Sequence, residues 1–352
     1  MKTPEDAAAS RALLVVSAAV LLAGSVWFSG TAAIPALREL WGLGDAQAAW
    51  LTVAVQLGFI GGTFLYSILS IADVFNARRV FVASALLGAL FNAAFASIAS
   101  GLGTALVFRF LTGVTLAGVY PVGMKIVASW FREGLGWRLG VLVGALALGT
   151  ASPYLIQAVG AGLGWRVLAG TASLSAVAGG LLVGLGLRDG PYLRSRARFD
   201  VHAAARVFRD PAFRYTALGY FGHMWELYAL WGLVSFFLAG KAERPEVALV
   251  AFATVGAGFV GCIGGGWISR RTGERRVALG ALLASGTLCL GSGFAHALPN
   301  AALYAYLVAW GVVVVADSPQ FSALAARYAP AEYTATALTV QNGIGFAVTD
   351  VS

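Results

Sequence analysis

Residues 73–99 read DVFNARRVFVASALLGALFNAAFASIA. A short polar turn with two adjacent arginines, Arg78 and Arg79, leads into about 20 residues without a charge, which is enough for a helix to cross roughly 30 Å of hydrocarbon. Similar runs recur along the chain, in which 59% of the 352 residues are apolar and only 11% are charged. Because so few polar groups cannot cover a water-soluble globule, the sequence predicts a membrane protein.

The apolar runs predict transmembrane helices. They are apolar on all sides, whereas the strands of a membrane barrel alternate polar and apolar residues, so we expect an all-α membrane protein. The expected spans lie near 12–37, 47–71, 80–99, 103–130, 138–160, 165–187, 215–239, 246–268, 277–297 and 300–326, and a last one begins near 332. A twelfth helix would be needed to return the chain to its starting side. We therefore expect about 11 of 12 helices, in a chain truncated at its C-terminus.

An internal repeat predicts two related halves. Arg78 and Arg79 follow the second span, and Arg275 and Arg276 follow the eighth; 275 − 78 and 276 − 79 both equal 197. Such repeats are common in transporters. The domain prediction is an N-terminal six-helix half at 1–187, a basic linker at 188–214 and an incomplete C-terminal half of about five helices at 215–352.

The distribution of Lys and Arg predicts the orientation. One set of alternate loops, which includes the N-terminus and the 188–214 linker, holds most of these residues, and the opposite set holds only Arg38, Arg166, Lys241 and Arg244. Basic loops stay in the cytoplasm, so we expect a multi-pass protein of the bacterial inner membrane with a cytoplasmic N-terminus. The same rule explains the basic linker, which can also contact anionic lipid, and we expect no nucleic-acid partner.

Several short motifs resemble those of the major facilitator superfamily. The two loop clusters are similar to its loop motif, an acid and a basic cluster around a Gly. The fourth span carries Arg109 followed by Gly113 and Gly118, and the fifth carries a Gly/Pro bending motif that ends at Pro153. Three further stretches resemble a subgroup of bacterial nitrate/nitrite-type or uncharacterised carriers. They are WFSGTAAIPAL (27–37), GHMWELYALW (222–231) and ADSPQFSA (316–323). The arginines that bind nitrate in that subgroup have no counterpart in the second and eighth spans, so nitrate itself is not expected.

The resemblance implies two pseudo-symmetric six-helix halves that alternate in access around a central site. The function implied is secondary active transport of a small polar solute, for which an organic anion is one candidate, coupled to protons. We expect a monomer in the lipid bilayer that is not an enzyme and needs no cofactor or metal. The loop clusters would form a cytoplasmic gate, with Asp73, Arg78, Arg79, Arg270, Arg271 and Arg275.

Ionisable groups inside the membrane are functional candidates, because they are costly to bury. Arg109 could bind the solute, or it could hydrogen-bond backbone carbonyls at a helix bend. Burial favours the neutral form of a carboxylic acid, so Glu226 could load and release a proton; alternatively it is held in a structural pair by His223 or Arg109. Asp317, just before Pro319, could be a second titrating site, a gate group or a residue of the helix kink.

Further polar and aromatic residues complete the predicted pathway. Amides and aromatic rings on the cavity faces of the spans can bind a solute, although they also serve as ordinary packing. The predicted substrate and proton pathway consists of Arg109, Glu226, His223, Asp317, Gln56, Tyr120, Trp27, Trp310 and Gln341.

Two other classes of function fit the sequence less well than a transporter does. An intramembrane hydrolase would need a nucleophile and a base at helical spacing, and His202, His223 and His296 show no such pattern. A sensor would usually carry a soluble output domain, and the longest loop is the 188–214 linker. A non-transporting sensor or an incomplete, inactive carrier remains the alternative to a transporter.

Overall fold

The structure, a computed structural model, describes residues 4–69, 71, 75–131, 135–159, 164–192, 207–329 and 334–349. In these ranges all regular structure is α-helical. The helices are α1 Pro4–Gly24, α2 Ser29–Trp41, α3 Asp45–Ile68, α4 Ala77–Ile98, α5 Leu102–Leu116, α6 Tyr120–Ala128, α7 Leu135–Val159, α8 Trp165–Gly186, α9 Pro211–Phe237, α10 Arg244–Gly256, α11 Gly258–Thr272, α12 Glu274–Ala295, α13 Asn300–Ala316, α14 Ser318–Tyr328 and α15 Thr334–Thr349.

The helices reproduce the predicted spans. Four spans are broken into two helices each, namely α1/α2, α5/α6, α10/α11 and α13/α14. Within the described ranges, nine helical segments are long and apolar enough to cross a membrane. Helix α9, which carries His223 and Glu226 among its 27 residues, and the 16-residue α15 occupy the places of the predicted seventh and eleventh spans. The prediction of an all-helical membrane bundle is therefore confirmed.

In two of the broken spans, the second helix begins in the same way. Pro121 stands in the first turn of α6, and Pro319 stands in the first turn of α14. Proline lacks a backbone N–H, and its ring fits the start of a helix but obstructs the turn before it. The breaks between α5 and α6 and between α13 and α14 follow from this local chemistry.

Glycine contacts repeat between the two parts of the chain. Gly58 and Gly62 of α3 approach the backbone carbonyls of Phe110 and Val114 in α5, too closely for any Cβ. At the same four-residue spacing, Gly261 and Gly265 of α11 approach the carbonyls of Val312 and Ala316 in α13. Small residues spaced by four let membrane helices pack backbone to backbone. The same packing device is thus used twice, in equivalent positions.

The two sets of helices meet along a defined interface. Helix α7 packs against α10, α11 and α14, and α3 packs against α15. At one end of the bundle, Arg244 at the start of α10 forms an ion pair with Glu39 of α2, and both side chains are about two thirds exposed. The interface brings the middle of the first span close to the middle of α9.

Candidate functional site

Arg109 binds the break between α1 and α2. Its guanidinium group donates to the carbonyl of Val26 at 2.9 Å, to Oδ1 of Asn92 at 3.1 Å and to the carbonyl of Trp27, and the side chain is fully buried. A Cβ at Gly30 would lie 2.6 Å from Nε of Arg109, so glycine leaves the space that the guanidinium occupies. Of the two roles expected for Arg109, this geometry matches hydrogen bonding to carbonyls at a helix bend. Direct contact with a solute stays a prediction.

Asn92 and Ser29 belong to this network but were missed in the sequence. The hydroxyl of Ser29 donates to Oδ1 of Asn92 at 2.7 Å, and Nδ2 of Asn92 donates to the carbonyl of Ala169 at 2.9 Å and to Ser173 at 3.0 Å. The network therefore joins α2, α4, α5 and α8. The available signal was a single amide within the apolar run 80–99, where an unpaired polar group would be costly.

His223 and Asp317 lie together between α9 and the break of α13/α14. Nδ1 of His223 is 2.8 Å from Oδ1 of Asp317, and both side chains are 1% exposed. Asp317 precedes α14, but its carboxylate makes no N-cap hydrogen bond there. The 2.8 Å contact lacks the geometry of a hydrogen bond, and all four polar atoms of the two side chains are without a hydrogen-bonding partner among the described residues. The structure therefore brings together two predicted residues that are 94 positions apart (317 − 223).

Ionisable side chains from three helices surround this pair. Tyr220 of α9 and Cys262 of α11 lie near Asp317, and Tyr120 of α6 lies near both of them. Gly140 of α7 lies near this site, because an added Cβ would lie 3.2 Å from the carbonyl oxygen of Cys262 and 4.0 Å from Cγ of Pro319. The His223–Asp317 pair is therefore next to the contact between the two sets of helices.

Glu226 lies elsewhere. It is half-buried, accepts a hydrogen bond from Nε1 of Trp310 at 2.8 Å and accepts another from the hydroxyl of Ser285 at 2.9 Å. It lines a largely apolar pocket of about 160 Å³ between α9, α12 and α13. Neither His223 nor Arg109 is its partner, so the structural pair considered from the sequence is replaced by bonds to Trp310 and Ser285.

Six aromatic side chains form a continuous cluster across the interface. Phe59 and Phe346 have ring centroids 4.4 Å apart, Trp27 and Phe59 4.8 Å, Tyr228 and Trp231 5.7 Å, and Trp27 and Tyr228 6.0 Å. The aromatic cluster consists of Trp27, Phe28, Phe59, Tyr228, Trp231 and Phe346, and all six are buried. Of these, Trp27 was predicted from the sequence. The other five look like ordinary core residues until the helices are assembled.

The two predicted amides are also buried. Gln56 of α3 is 5% exposed, and Gln341 of α15 is fully buried. Both side-chain polar atoms of Gln341 lack a hydrogen-bonding partner among the described residues. Buried amides are normally satisfied, and a role of Gln341 in binding the solute stays a prediction.

The predicted cytoplasmic gate is only partly assembled. Arg78 forms an ion pair with Asp189 at 3.1 Å and donates to the carbonyl of Leu187, so it ties the start of α4 to the end of α8. Arg271 stacks on the ring of Trp267, with its guanidinium carbon 4.3 Å from the ring centroid. Arg79, Arg270 and Arg275 are exposed, and Asp73 lies outside the described residues. The role of these residues as a gate stays a prediction.

A bundle of membrane-spanning helices in two related sets, with polar groups buried near their contact, is the architecture of many polytopic membrane carriers. The chain matches the sequence model of the Major Facilitator Superfamily over residues 15–349, and it belongs to that superfamily. The family and fold predicted from the sequence are thereby confirmed, and the family is one of transporters rather than enzymes.

Two known proteins illustrate the similarity. The chain is 30% identical over 172 residues to the niacin transporter NiaP of Acinetobacter baylyi, an alignment that covers 46% of this chain and 36% of that protein. The fold is similar to that of a bacterial homologue of the human lysosomal transporter Spinster, solved in an inward-facing and unoccupied conformation. The TM-score is 0.67 at 16% identity, covering 99% of this chain and 81% of that one. The chain therefore spans about a third of the length of the curated relative, while its fold matches the solved structure almost throughout.

Proposed function

We propose that this protein carries a small organic solute, an anion being the preferred candidate, across the bacterial inner membrane by proton-coupled alternating access. The observation that supports this proposal is the buried His223–Asp317 pair, at 2.8 Å, beside the contact between the two sets of helices. Within the family, carriers move small solutes through the bilayer. The similarity to a protein named as a niacin transporter makes nicotinate the first solute to test.

The pair has a simple proton chemistry. With a neutral imidazole and an ionised carboxylate, its net charge is −1; one added proton gives either an imidazolium–carboxylate pair or a neutral imidazole and carboxylic acid, both with net charge zero. A net charge is costly in the interior of a membrane protein, so loading a proton changes the energy of burying this region. Since Pro319 lies near Gly140 of α7, we expect that change to affect the contact between the two sets of helices.

The proposal is tested with purified protein in liposomes. Uptake of labelled nicotinate is measured with and without an inward proton gradient, and a protonophore is added to abolish the gradient. We expect gradient-driven accumulation by the unmodified protein. Asp317→Asn and His223→Gln should lose accumulation but keep exchange of nicotinate across the membrane, because exchange does not require the proton to be released.

Glu226→Gln distinguishes Asp317 from the half-buried Glu226 as the proton site. The same chemical change at Glu226, which is bound by Trp310 and Ser285 instead, should leave the proton gradient effective. Accumulation that is independent of the gradient would contradict the coupling. Loss of proton coupling in Glu226→Gln but not in Asp317→Asn would assign the proton site to Glu226 instead. Binding without flux for every solute tested would favour a non-transporting sensor or an inactive carrier.

A further inference from the structure

The aromatic cluster combines side chains from four spans. It takes Trp27 and Phe28 from the break of the first span, Phe59 from α3, Tyr228 and Trp231 from α9, and Phe346 from α15. The rings contact across the boundary between the two sets of helices, as in Trp27 with Phe346, whose centroids are 5.9 Å apart. Opening of this interface would therefore separate rings and expose their faces on both walls.

Two polar groups in the aromatic cluster lack partners. Nε1 of Trp27 and Nε1 of Trp231 are buried and have no hydrogen-bond acceptor within the described ranges. A buried donor without an acceptor is costly, and an indole N–H can only donate. A group that satisfies both indoles must therefore bring acceptor atoms, as a carboxylate does.

A buried positive charge lies directly behind Trp27. Arg109 donates to the backbone carbonyl of Trp27 itself, and no acidic side chain forms an ion pair with it among the described residues. Its other acceptors, Val26, Ser29 and Asn92, are neutral. In a low-dielectric interior this charge is weakly screened, so the aromatic cluster lies in a positive potential.

We propose that the aromatic cluster is the solute site, and that it takes a flat aromatic ring bearing a carboxylate. The ring would lie between Trp27 and Tyr228 when the interface opens, because aromatic faces favour offset or edge contacts with another ring. The carboxylate would accept from the indole N–H groups and face the field of Arg109. Arg109 would thus be a positioning residue that shapes the site through the backbone of Trp27. This inference rests on the proposed transport function and specifies its solute class.

The test compares two acids of the same charge and similar size. Benzoate has a flat π-system and cyclohexanecarboxylate does not, so we expect benzoate to bind about tenfold more tightly to the unmodified protein, as judged by its effect on thermal stability and by calorimetry. Benzamide, which keeps the ring but is neutral, should bind more weakly than benzoate. Equal affinity for benzoate and cyclohexanecarboxylate would overturn the aromatic site, and equal affinity for benzoate and benzamide would overturn the role of Arg109.

Matched tryptophan variants locate the binding. Trp27→Phe and Trp231→Phe each remove an indole N–H and should weaken benzoate binding about tenfold. Trp165→Phe is the control, because Trp165 packs on Phe95 and Trp41 away from the aromatic cluster. Unchanged affinity in both cluster variants, in protein that remains monodisperse, would overturn the assignment.

Failure of this inference is distinguishable from failure of the proposed function. Proton-driven uptake of benzoate and cyclohexanecarboxylate at equal rates would retain the carrier and discard the aromatic site. Selective benzoate binding that depends on Trp27 and Trp231, with no flux in liposomes, would retain the site and discard transport.

Discussion

At the scale of single residues, the buried polar groups form separate units with different partners. Arg109 is bound to backbone carbonyls, His223 is next to Asp317, and Glu226 accepts from Trp310 and Ser285. A guanidinium group has five donors in a rigid fork, which suits several carbonyls at a broken helix. Because each group has its own partners, substitutions at one unit should leave the others intact.

Gly30→Ala tests the unit around Arg109. The added methyl group would displace the guanidinium group and leave the carbonyls of Val26 and Trp27 without their donor, so we expect a loss of about 1–3 kcal/mol in unfolding free energy. Thermal unfolding of the detergent-purified protein measures it. Gly103→Ala in α5 is the control, since its Cβ would meet no atom within 4 Å. Equal stability of the two variants would show that Gly30 has no such role.

At the scale of helices, close backbone contacts determine how the spans pack. Lipid tails are as apolar as leucine side chains, so membrane helices associate through packing and hydrogen bonding rather than through the hydrophobic effect. The glycine pairs of α3 and α11 serve this purpose in both sets of helices. In each helix, another glycine, Gly61 in α3 and Gly264 in α11, lies about one helical turn from a member of the pair and serves as its control.

Alanine substitutions should separate the contacting glycines from their neighbours. Gly58→Ala and Gly261→Ala should destabilise the protein by about 1–3 kcal/mol, because no room exists between the helix backbones. Gly61→Ala and Gly264→Ala, whose Cβ atoms would meet nothing closer than 4.0 Å, should be neutral or slightly stabilising. Thermal unfolding of the four variants provides the comparison, and similar losses in all four would contradict the packing argument.

At the scale of the whole molecule, burial at the interface outweighs surface charge. The ion pair of Arg244 with Glu39 joins the two sets of helices, but it is mostly exposed. Exposed pairs contribute about 0–1 kcal/mol. The buried aromatic cluster and the His223–Asp317 pair are therefore the features through which the proposed change between open and closed arrangements would act.

The orientation of the molecule is tested by labelling. In a Cys262→Ala/Cys289→Ala background, Glu243→Cys and Arg276→Cys introduce single exposed thiols at opposite ends of α10/α11. If basic loops are cytoplasmic, a membrane-impermeant maleimide should label position 243 in intact cells and position 276 only after permeabilisation. The reverse pattern would invert the predicted topology.

The linear sequence by itself determined the membrane class, the approximate spans and the helix break before Pro319. These features depend on local properties: the length of an apolar run, the absence of charge within it, and the conformational limits that Pro319 imposes. The repeated arginine clusters also predicted the duplication, because equivalent turns need equivalent residues. The sequence also identified Arg109, Glu226 and Asp317 as candidate functional residues, since charge in a membrane is costly wherever it occurs.

Only the tertiary structure decided which polar groups meet. His223 and Glu226 lie three positions apart on α9, yet one is next to Asp317 and the other binds Trp310, since their directions differ and different helices pack on each. The aromatic cluster likewise combines residues from distant spans, and each of them alone resembles core packing. Pairing depends on the relative rotation and depth of separate helices, and these are determined by side-chain packing between segments far apart in the chain.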